Sequence, residues 1–281
     1  MRELSGKVAV VTGAASGIGL GLSTAFAAEG MHVVMADIEE GALKEAEEGL
    51  AASGAETMSV PTDVSSADSG EELAARTIER FGAVHVVCNN AGVGGGGPMA
   101  TLTHAQWEWV LGVNLWGVIH GISAFLPRLL EQGQGHIVNT GSVAGLLPAP
   151  GMGPYCASKF AVVAISESLH LELGMMASPV KVSVLCPGWV RTNIAESDRN
   201  WPSRLGPTPE RGTDPTAQVA REFVRQALET GTRPDEVAAL VLDAIREERF
   251  WVLTERVMSG RVIDRAQGIV DNRNPSAFGP V

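Results

Sequence analysis

The sequence predicts an α/β protein: a doubly wound parallel sheet of about seven strands with helices on both faces. Three observations predict it. Short apolar runs alternate with longer helix-forming stretches along the chain, the pattern of a parallel sheet built through crossover helices. The first run, Val8-Ala9-Val10-Val11, leads directly into a glycine-rich turn, Thr12-Gly13-Ala14-Ala15-Ser16-Gly17-Ile18-Gly19, and then a helix-like stretch to Glu29. The second run, His32-Val33-Val34-Met35-Ala36, ends in an acid, Asp37.

Strands are expected near 7–12, 32–36, 56–60, 84–88, 135–140, 180–186 and 250–253, each a short apolar run. Between and after them, helices are expected near 17–29, 39–52, 68–81, 103–130, 155–175, 214–229, 234–248 and 255–268. Right-handed crossovers and a reversal of strand order place a ligand crevice outside the carboxyl ends of such strands. Gly13, Asp37, Asp63, Asn90, Ser142 and Pro187 all fall at or just beyond those ends, so they are expected to share one site. No repeat or break in composition divides the 281 residues, and a single domain follows. Two segments leave the alternation. From Thr192 to about Asp214, Pro202, Pro207 and Pro209 forbid a continuous helix, and a connection of this length reads as a substrate lid near 192–214. The tail near 267–281 reads as an irregular terminus.

A net charge of −11 with no basic patch argues against nucleic acid or an anionic membrane as partner. No uninterrupted apolar run reaches the ~18–20 residues of a membrane span, and the stretch Met1–Lys7 has no apolar signal core. A soluble cytoplasmic protein is expected. Cys88, Cys156 and Cys186 are too few and too scattered for a disulfide framework, and read as core or packing residues. The histidines show no metal-ligand spacing, and no metal is expected.

Two constellations carry chemistry. A strand, a glycine turn and a helix N-terminus make an anion site, since small residues admit a pyrophosphate to the backbone and free N–H groups favour its charge. The spacing here is Gly-x-x-x-Gly-x-Gly rather than Gly-x-Gly-x-x-Gly. Asp37, at the end of the second strand, is placed to accept hydrogen bonds from ribose hydroxyls. The second constellation is Tyr155, the only tyrosine, with Lys159 four residues on. At i and i+4 on a helix the two side chains share a face. A phenol titrates near pH 10, and an adjacent ammonium favours the phenolate, so Lys159 is expected to lower the Tyr155 pKa toward general acid/base use.

With these motifs the chain resembles the classical short-chain dehydrogenases/reductases over essentially its whole length. TGAASGIG at 12–19 resembles the family's coenzyme-phosphate turn, Asp63-Val64 the pair beside the adenine, and Asn89-Asn90-Ala91-Gly92 the motif that ends the fourth strand. Asn114, Ser142, Tyr155 and Lys159 match the catalytic tetrad, and Pro187-Gly188 with Thr192 the segment that meets the nicotinamide. The resemblance implies a Rossmann-type fold and hydride transfer between a nicotinamide cofactor and a secondary alcohol or ketone. Tyr155 would exchange the alcohol proton, Lys159 would tune it and hold the ribose, and Ser142 would bind the substrate oxygen. Asn114 would hold a water of a proton relay. It further implies cofactor contacts from Gly13, Ser16, Gly17, Ile18, Gly19, Asp37, Ile38, Asp63, Val64, Asn90, Ala91, Gly92, Tyr155, Lys159, Pro187, Gly188, Val190 and Thr192. Homodimers or homotetramers, with the tail at a subunit interface, are implied in the same way.

Charge selects the cofactor. A 2′-phosphate needs Arg or Lys beside it, whereas the turn after the second strand reads Asp37-Ile38-Glu39-Glu40 and the glycine loop offers neutral Ala15. NAD is therefore expected over NADP, with no cation compensating Asp37. The expected pocket wall is apolar: Gly94–Gly97, Val143, Leu146, Leu147, Met152, Trp189, Ile194 and Trp201, with Arg191, Arg199 and Arg204 the nearby cations. This suits a hydrophobic or aromatic secondary alcohol, and Asn193–Ser197 resembles a subgroup acting on bulky aryl alcohols. The alternatives are an NADP-dependent carbonyl reductase on the same fold and a regulatory protein that binds the dinucleotide without catalysis. A dehydratase or epimerase is a further one, but such relatives carry another glycine spacing and a longer substrate domain.

Overall fold

The computed structural model of the protein describes residues 1–209, 215–255 and 259–276. Strands β1 (Val8–Thr12), β2 (His32–Asp37), β3 (Thr57–Pro61), β4 (Val86–Asn89), β5 (His136–Thr140), β6 (Lys181–Cys186) and β7 (Trp251–Leu253) form one sheet in the order β3-β2-β1-β4-β5-β6-β7. Every pairing is parallel, with Val8 beside His32, Val11 beside Cys88, Asn89 beside Asn139 and Cys186 beside Leu253. The helices are α1 (Gly17–Ala28), α2 (Glu40–Ala51), α3 (Ala67–Phe81), α4 (His104–Leu111), α5 (Gly117–Gln132), α6 (Gly153–Met175), α7 (Pro215–Thr230), α8 (Pro234–Glu247) and α9 (Ser259–Val270). The chain thus forms the single Rossmann-type domain that the alternation predicts.

Strand side chains alternate between two cores because successive residues face opposite sides of a sheet. Ala9, Val11, Val33 and Met35 pack with Leu22 and Phe26 of α1 and with Val237, Val241 and Ile245 of α8. Val8, Val10, Val34 and Val87 pack on the other face with Leu73 of α3, Phe125 and Leu129 of α5 and Leu169 and Leu173 of α6. Both faces are covered, so the strands are apolar throughout rather than alternating, and β1 and β5 are wholly buried. Local signals set the helix ends: Ser66 accepts from Ser69 N at the start of α3, Thr103 and Gln106 form a capping box on α4, and α3 and α5 end at Gly82 and Gly133 with φ of 73° and 71°.

Three expectations need correction. The helix expected near 103–130 is two helices joined by a π turn, Gly112–Trp116. The combined stretch His104–Gln132 is long and apolar enough to cross a membrane by length and composition alone, although no uninterrupted apolar run suggested it. Here Ala124, Phe125 and Leu129, on its buried face, pack on the sheet. Finally, α9 continues to Val270, so the start of the expected irregular tail is helical, and 277–281 lie outside the described residues.

His136, at the start of β5, is fully buried. The Ser183 hydroxyl donates to Arg249 O at 2.6 Å and so receives Nε2–H of His136 across 2.7 Å. Nδ1 has no partner among the described residues. Burial, helped by the positive N-terminus and Lys181, pushes its pKa down to about 3, against about 6.5 in an unfolded chain. The folded value is depressed, so between these limits the unfolded chain binds the extra proton. Stability from the neutral ring is complete above about pH 6.5 and is lost as the pH falls toward 3. From pH 7 to 5, His136→Gln should lose about 2 kcal/mol less unfolding free energy than the parent. Urea titrations at the two pH values measure this, and equal losses in both proteins would refute it.

Candidate active site

The groove begins at the turn between β1 and α1. Gly13 and Gly17 take φ of 68° and 54°, the left-handed region that favours glycine. A Cβ on Gly19 would overlap the Gly13 carbonyl oxygen, so the turn closes only with hydrogen at that position. Ser16 is the N-cap of α1 but makes no side-chain capping bond, which leaves the first N–H groups of the helix without that partner. Asp37 flanks the turn: Oδ2 accepts from Ala15 N at 3.0 Å and Oδ1 from Glu39 N at 3.1 Å. A left-handed glycine turn, an uncapped helix N-terminus and a carboxylate bonded to the turn fit a dinucleotide, phosphate at one end and ribose at the other. Ile38 next to Asp37 is 51% exposed. Asp63 is exposed, its Oδ1 accepting from Ser65 N and Oγ, and Val64 O lies 3.0 Å from His120 Nδ1.

On the other side of the switch point, Asn90 and Ala91 donate their backbone N–H groups to Thr12 Oγ1 at 2.9 and 3.0 Å. Asn90 Nδ2 donates to Thr12 O at 2.9 Å, and Thr140 Oγ1 donates to Asn90 Oδ1 at 3.3 Å. These bonds tie the ends of β1, β4 and β5 together. The sequence shows Thr12 only as the first residue of the glycine turn, and Thr140 as a threonine at a strand end, with no sign of these bonds.

The tetrad residues converge. Lys159 is 3% exposed, and its Nζ donates to Thr140 O at 2.8 Å while standing 5.7 Å from the centre of the Tyr155 ring. Gly92 faces both this ammonium and the Asn114 amide. Asn114, in the π turn, is fully buried: Oδ1 accepts from Val93 N at 2.8 Å and Nδ2 donates to Val93 O at 2.9 Å. Its side chain thus pins the loop after Gly92. Ser142 Oγ accepts from Ala144 N at 3.0 Å, capping a short 3-10 turn.

Electrostatics correct one expectation. Burial pushes the Tyr155 phenol above its ordinary pKa, hydrogen bonding with Ser142 pulls the other way, and Cys156 raises it further. The resolved downward influence is therefore Ser142, not Lys159. Burial also lowers the Lys159 ammonium to about 8, opposed by Cys186.

The segment after β6 closes the site. Pro187 O accepts from Val143 N at 2.9 Å, Gly188 N donates to Thr254 Oγ1 at 3.0 Å, and Trp189 N donates to Glu255 Oε1 at 3.2 Å. Val190 is buried and bridges to Thr232. Thr192 packs on the glycine turn, its methyl 2.9 Å from where a Cβ on Gly17 would stand. Beyond it come two 3-10 turns, Ile194–Asn200 and Ser203–Leu205, and residues 210–214 of the expected lid lie outside the described residues. Trp201 packs edge-on against Trp109, ring centres 5.1 Å apart, within a cluster that includes Val93 and Val110. Arg199 reaches Glu39, so a cation does stand near Asp37, 160 residues from Glu39 in sequence.

Residues 7–203 match the short chain dehydrogenase family. The chain belongs to that family. Among solved structures, a short-chain dehydrogenase/reductase from Burkholderia phymatum in complex with NAD is 41% identical, covers 100% of both chains and superposes with a TM-score of 0.96. An alcohol dehydrogenase from the archaeon Thermococcus sibiricus, complexed with 5-hydroxy-NADP, is 28% identical over 88% of this chain and 95% of its own, with a TM-score of 0.72. The 1-deoxy-11-beta-hydroxypentalenate dehydrogenase of Streptomyces arenae is 38% identical over 253 residues, 88% of this chain and 82% of that protein. Of these two solved structures, one thus holds NAD and the other 5-hydroxy-NADP. The family match ends at residue 203, although Thr254 and Glu255 complete the site described above.

Proposed function

We propose that this oxidoreductase is an NAD-dependent short-chain dehydrogenase that oxidises a hydrophobic or aromatic secondary alcohol, or reduces the matching ketone. The observation that carries the reading is the convergence of Ser142, Tyr155 and Lys159 beside a glycine turn whose Ala15 N–H is held by Asp37. The Streptomyces relative, whose name gives a hydroxylated substrate, supports alcohol chemistry, and the NAD complex of the Burkholderia protein supports the cofactor.

Bound along the groove, NAD would supply the hydride acceptor. The chain's own residues manage the proton and the oxygen. The Ser142 hydroxyl and the Tyr155 phenol are hydrogen-bonded to each other, and together they would hold the substrate oxygen by two hydrogen bonds. In oxidation the phenolate of Tyr155 takes the hydroxyl proton as the C–H electron pair leaves the carbinol carbon; in reduction the phenol returns it. Lys159, buried and tied to Thr140 O, places positive charge beside that phenolate. Asn114 acts by position, fixing Val93 in the loop that carries Asn90 to Gly92.

Screening the protein with NAD and a panel of secondary alcohols, following NADH by absorbance, tests the reading. Turnover of apolar or aryl alcohols is expected, and no turnover of any alcohol with either dinucleotide would overturn it in favour of a regulatory binding protein. We also propose two-fold assembly through α4–α6, on which Trp116 and Leu171 remain 51% and 65% exposed. Light scattering should show a dimer or tetramer; a 29.4 kDa species alone at micromolar concentration would refute it.

A further inference from the structure

Residues Thr192–Asn200 cross the mouth of the groove as a strap fastened at three places. Thr192 rests on Gly17 of the glycine turn. In the middle, Ser197 Oγ accepts from Gly94 N at 2.9 Å and donates to Ile194 O at 2.6 Å. At the far end the strap meets the turn after β2. Arg199 Nη2 and Nε donate to Glu39 Oε1 at 2.7 and 3.1 Å, and Asn200 Nδ2 donates to the same oxygen at 2.9 Å. The remaining nitrogen, Nη1, donates to the carbonyls of Glu196 and Asn193 at 3.0 and 3.3 Å. All three nitrogens of this guanidinium are therefore engaged inside the protein. The hydrogen bond from Arg199 holds the Glu39 carboxyl below its ordinary pKa, so the pair is ionised near neutrality.

Glu39 stands two residues beyond Asp37, whose carboxylate also acts on the Arg199 charge. Resting on the reading of Asp37 as the ribose-facing acid, we propose that Glu39 is a second selectivity residue, one that engages the Arg199 guanidinium and withholds it from a 2′-phosphate. The fork that would grip a phosphate by paired N–H bonds already grips a carboxylate. Its charge is matched one for one, which leaves that of Asp37 facing any added anion. Without the Glu39 charge, the same arginine becomes an unmatched cation beside the site a 2′-phosphate would enter. Asp37 excludes NADP by repulsion, and Glu39 excludes it by occupying the available partner.

The test is direct binding of NAD and NADP by titration calorimetry, which requires no known substrate, on the parent, Glu39→Gln, Arg199→Gln and the double variant. Glutamine keeps the shape of Glu39 and an oxygen for Asn200 while removing the charge; Glu39→Ala serves as a second variant. The ratio Kd(NADP)/Kd(NAD) should fall at least fivefold in Glu39→Gln, and Arg199→Gln in the same chain should cancel that fall. A smaller change, or one that persists without Arg199, overturns the proposal and leaves the pair as a fastening of the strap only. The parent's own ratio judges Asp37 separately: a parent that binds NADP as well as NAD refutes the reading of Asp37, whatever Glu39→Gln does.

Discussion

Replacing Tyr155 by phenylalanine should lower turnover by about a hundred- to ten-thousandfold, the range in which a positioned general acid or base contributes. The ring keeps its place on α6 and only the hydroxyl, with its bond to Ser142, is lost, so NADH affinity, read by tryptophan fluorescence, should change little. Near parental turnover would remove Tyr155 from the chemistry. Lys159→Ala should reduce both turnover and dinucleotide affinity, because the ammonium stands 5.7 Å from the centre of the Tyr155 ring and is proposed to hold the nicotinamide ribose as well. It also leaves Thr140 O without its buried donor, so melting temperatures must accompany the kinetics. The pH profile separates proton transfer from packing. Burial holds the Tyr155 proton on, and oxidation needs it off, so oxidation should accelerate as the pH rises into the alkaline range. Residual turnover in Tyr155→Phe should lack that rise.

Exchanging Asp37 for serine together with Ile38 for arginine should carry the enzyme from NAD toward NADP. The parent is expected to favour NAD at least tenfold in kcat/KM, or about 1.4 kcal/mol. The first change removes the carboxylate that accepts from Ala15 N, and the second puts a guanidinium on a position that is 51% exposed. Glu39 is already engaged by Arg199 and Asn200, which leaves the new arginine free for a phosphate. Kinetics with one active alcohol and both cofactors provide the measurement. A parent that uses both equally would mean that Asp37 does not read the ribose.

The sequence displays what is local. Seven apolar runs gave the strands to within about two residues, because strands buried on both faces are continuous in hydrophobicity. The glycine turn, Asp37 and the Tyr155–Lys159 spacing were legible for the same reason: each is a short-range pattern with one structural solution. Distant pairings were not. Nothing near Glu39 announces Arg199, and nothing near Trp189 announces Glu255, since an ion pair or a capped N–H leaves no periodic trace in either partner. The π turn was also hidden, because one extra residue in a helical turn preserves composition while turning Asn114 inward and Trp116 toward solvent. The sense of the Tyr155 shift was missed because it depends on burial depth, which a spacing argument does not supply.

Gly188 and Glu255 share one volume. A Cβ on residue 188 would stand where the Glu255 carboxylate lies, and that same carboxylate receives Trp189 N–H. Any side chain at 188 must push the acid aside and strip a bond from the segment expected beside the nicotinamide, while shortening residue 255 makes room but loses the same bond. The two positions are therefore epistatic: the effect of a change at either depends on the residue at the other, and a double-mutant cycle across them should not sum. A change at residue 255, beyond the family match at 7–203, is accordingly expected to move the segment after β6 with the tetrad and the glycine turn left intact.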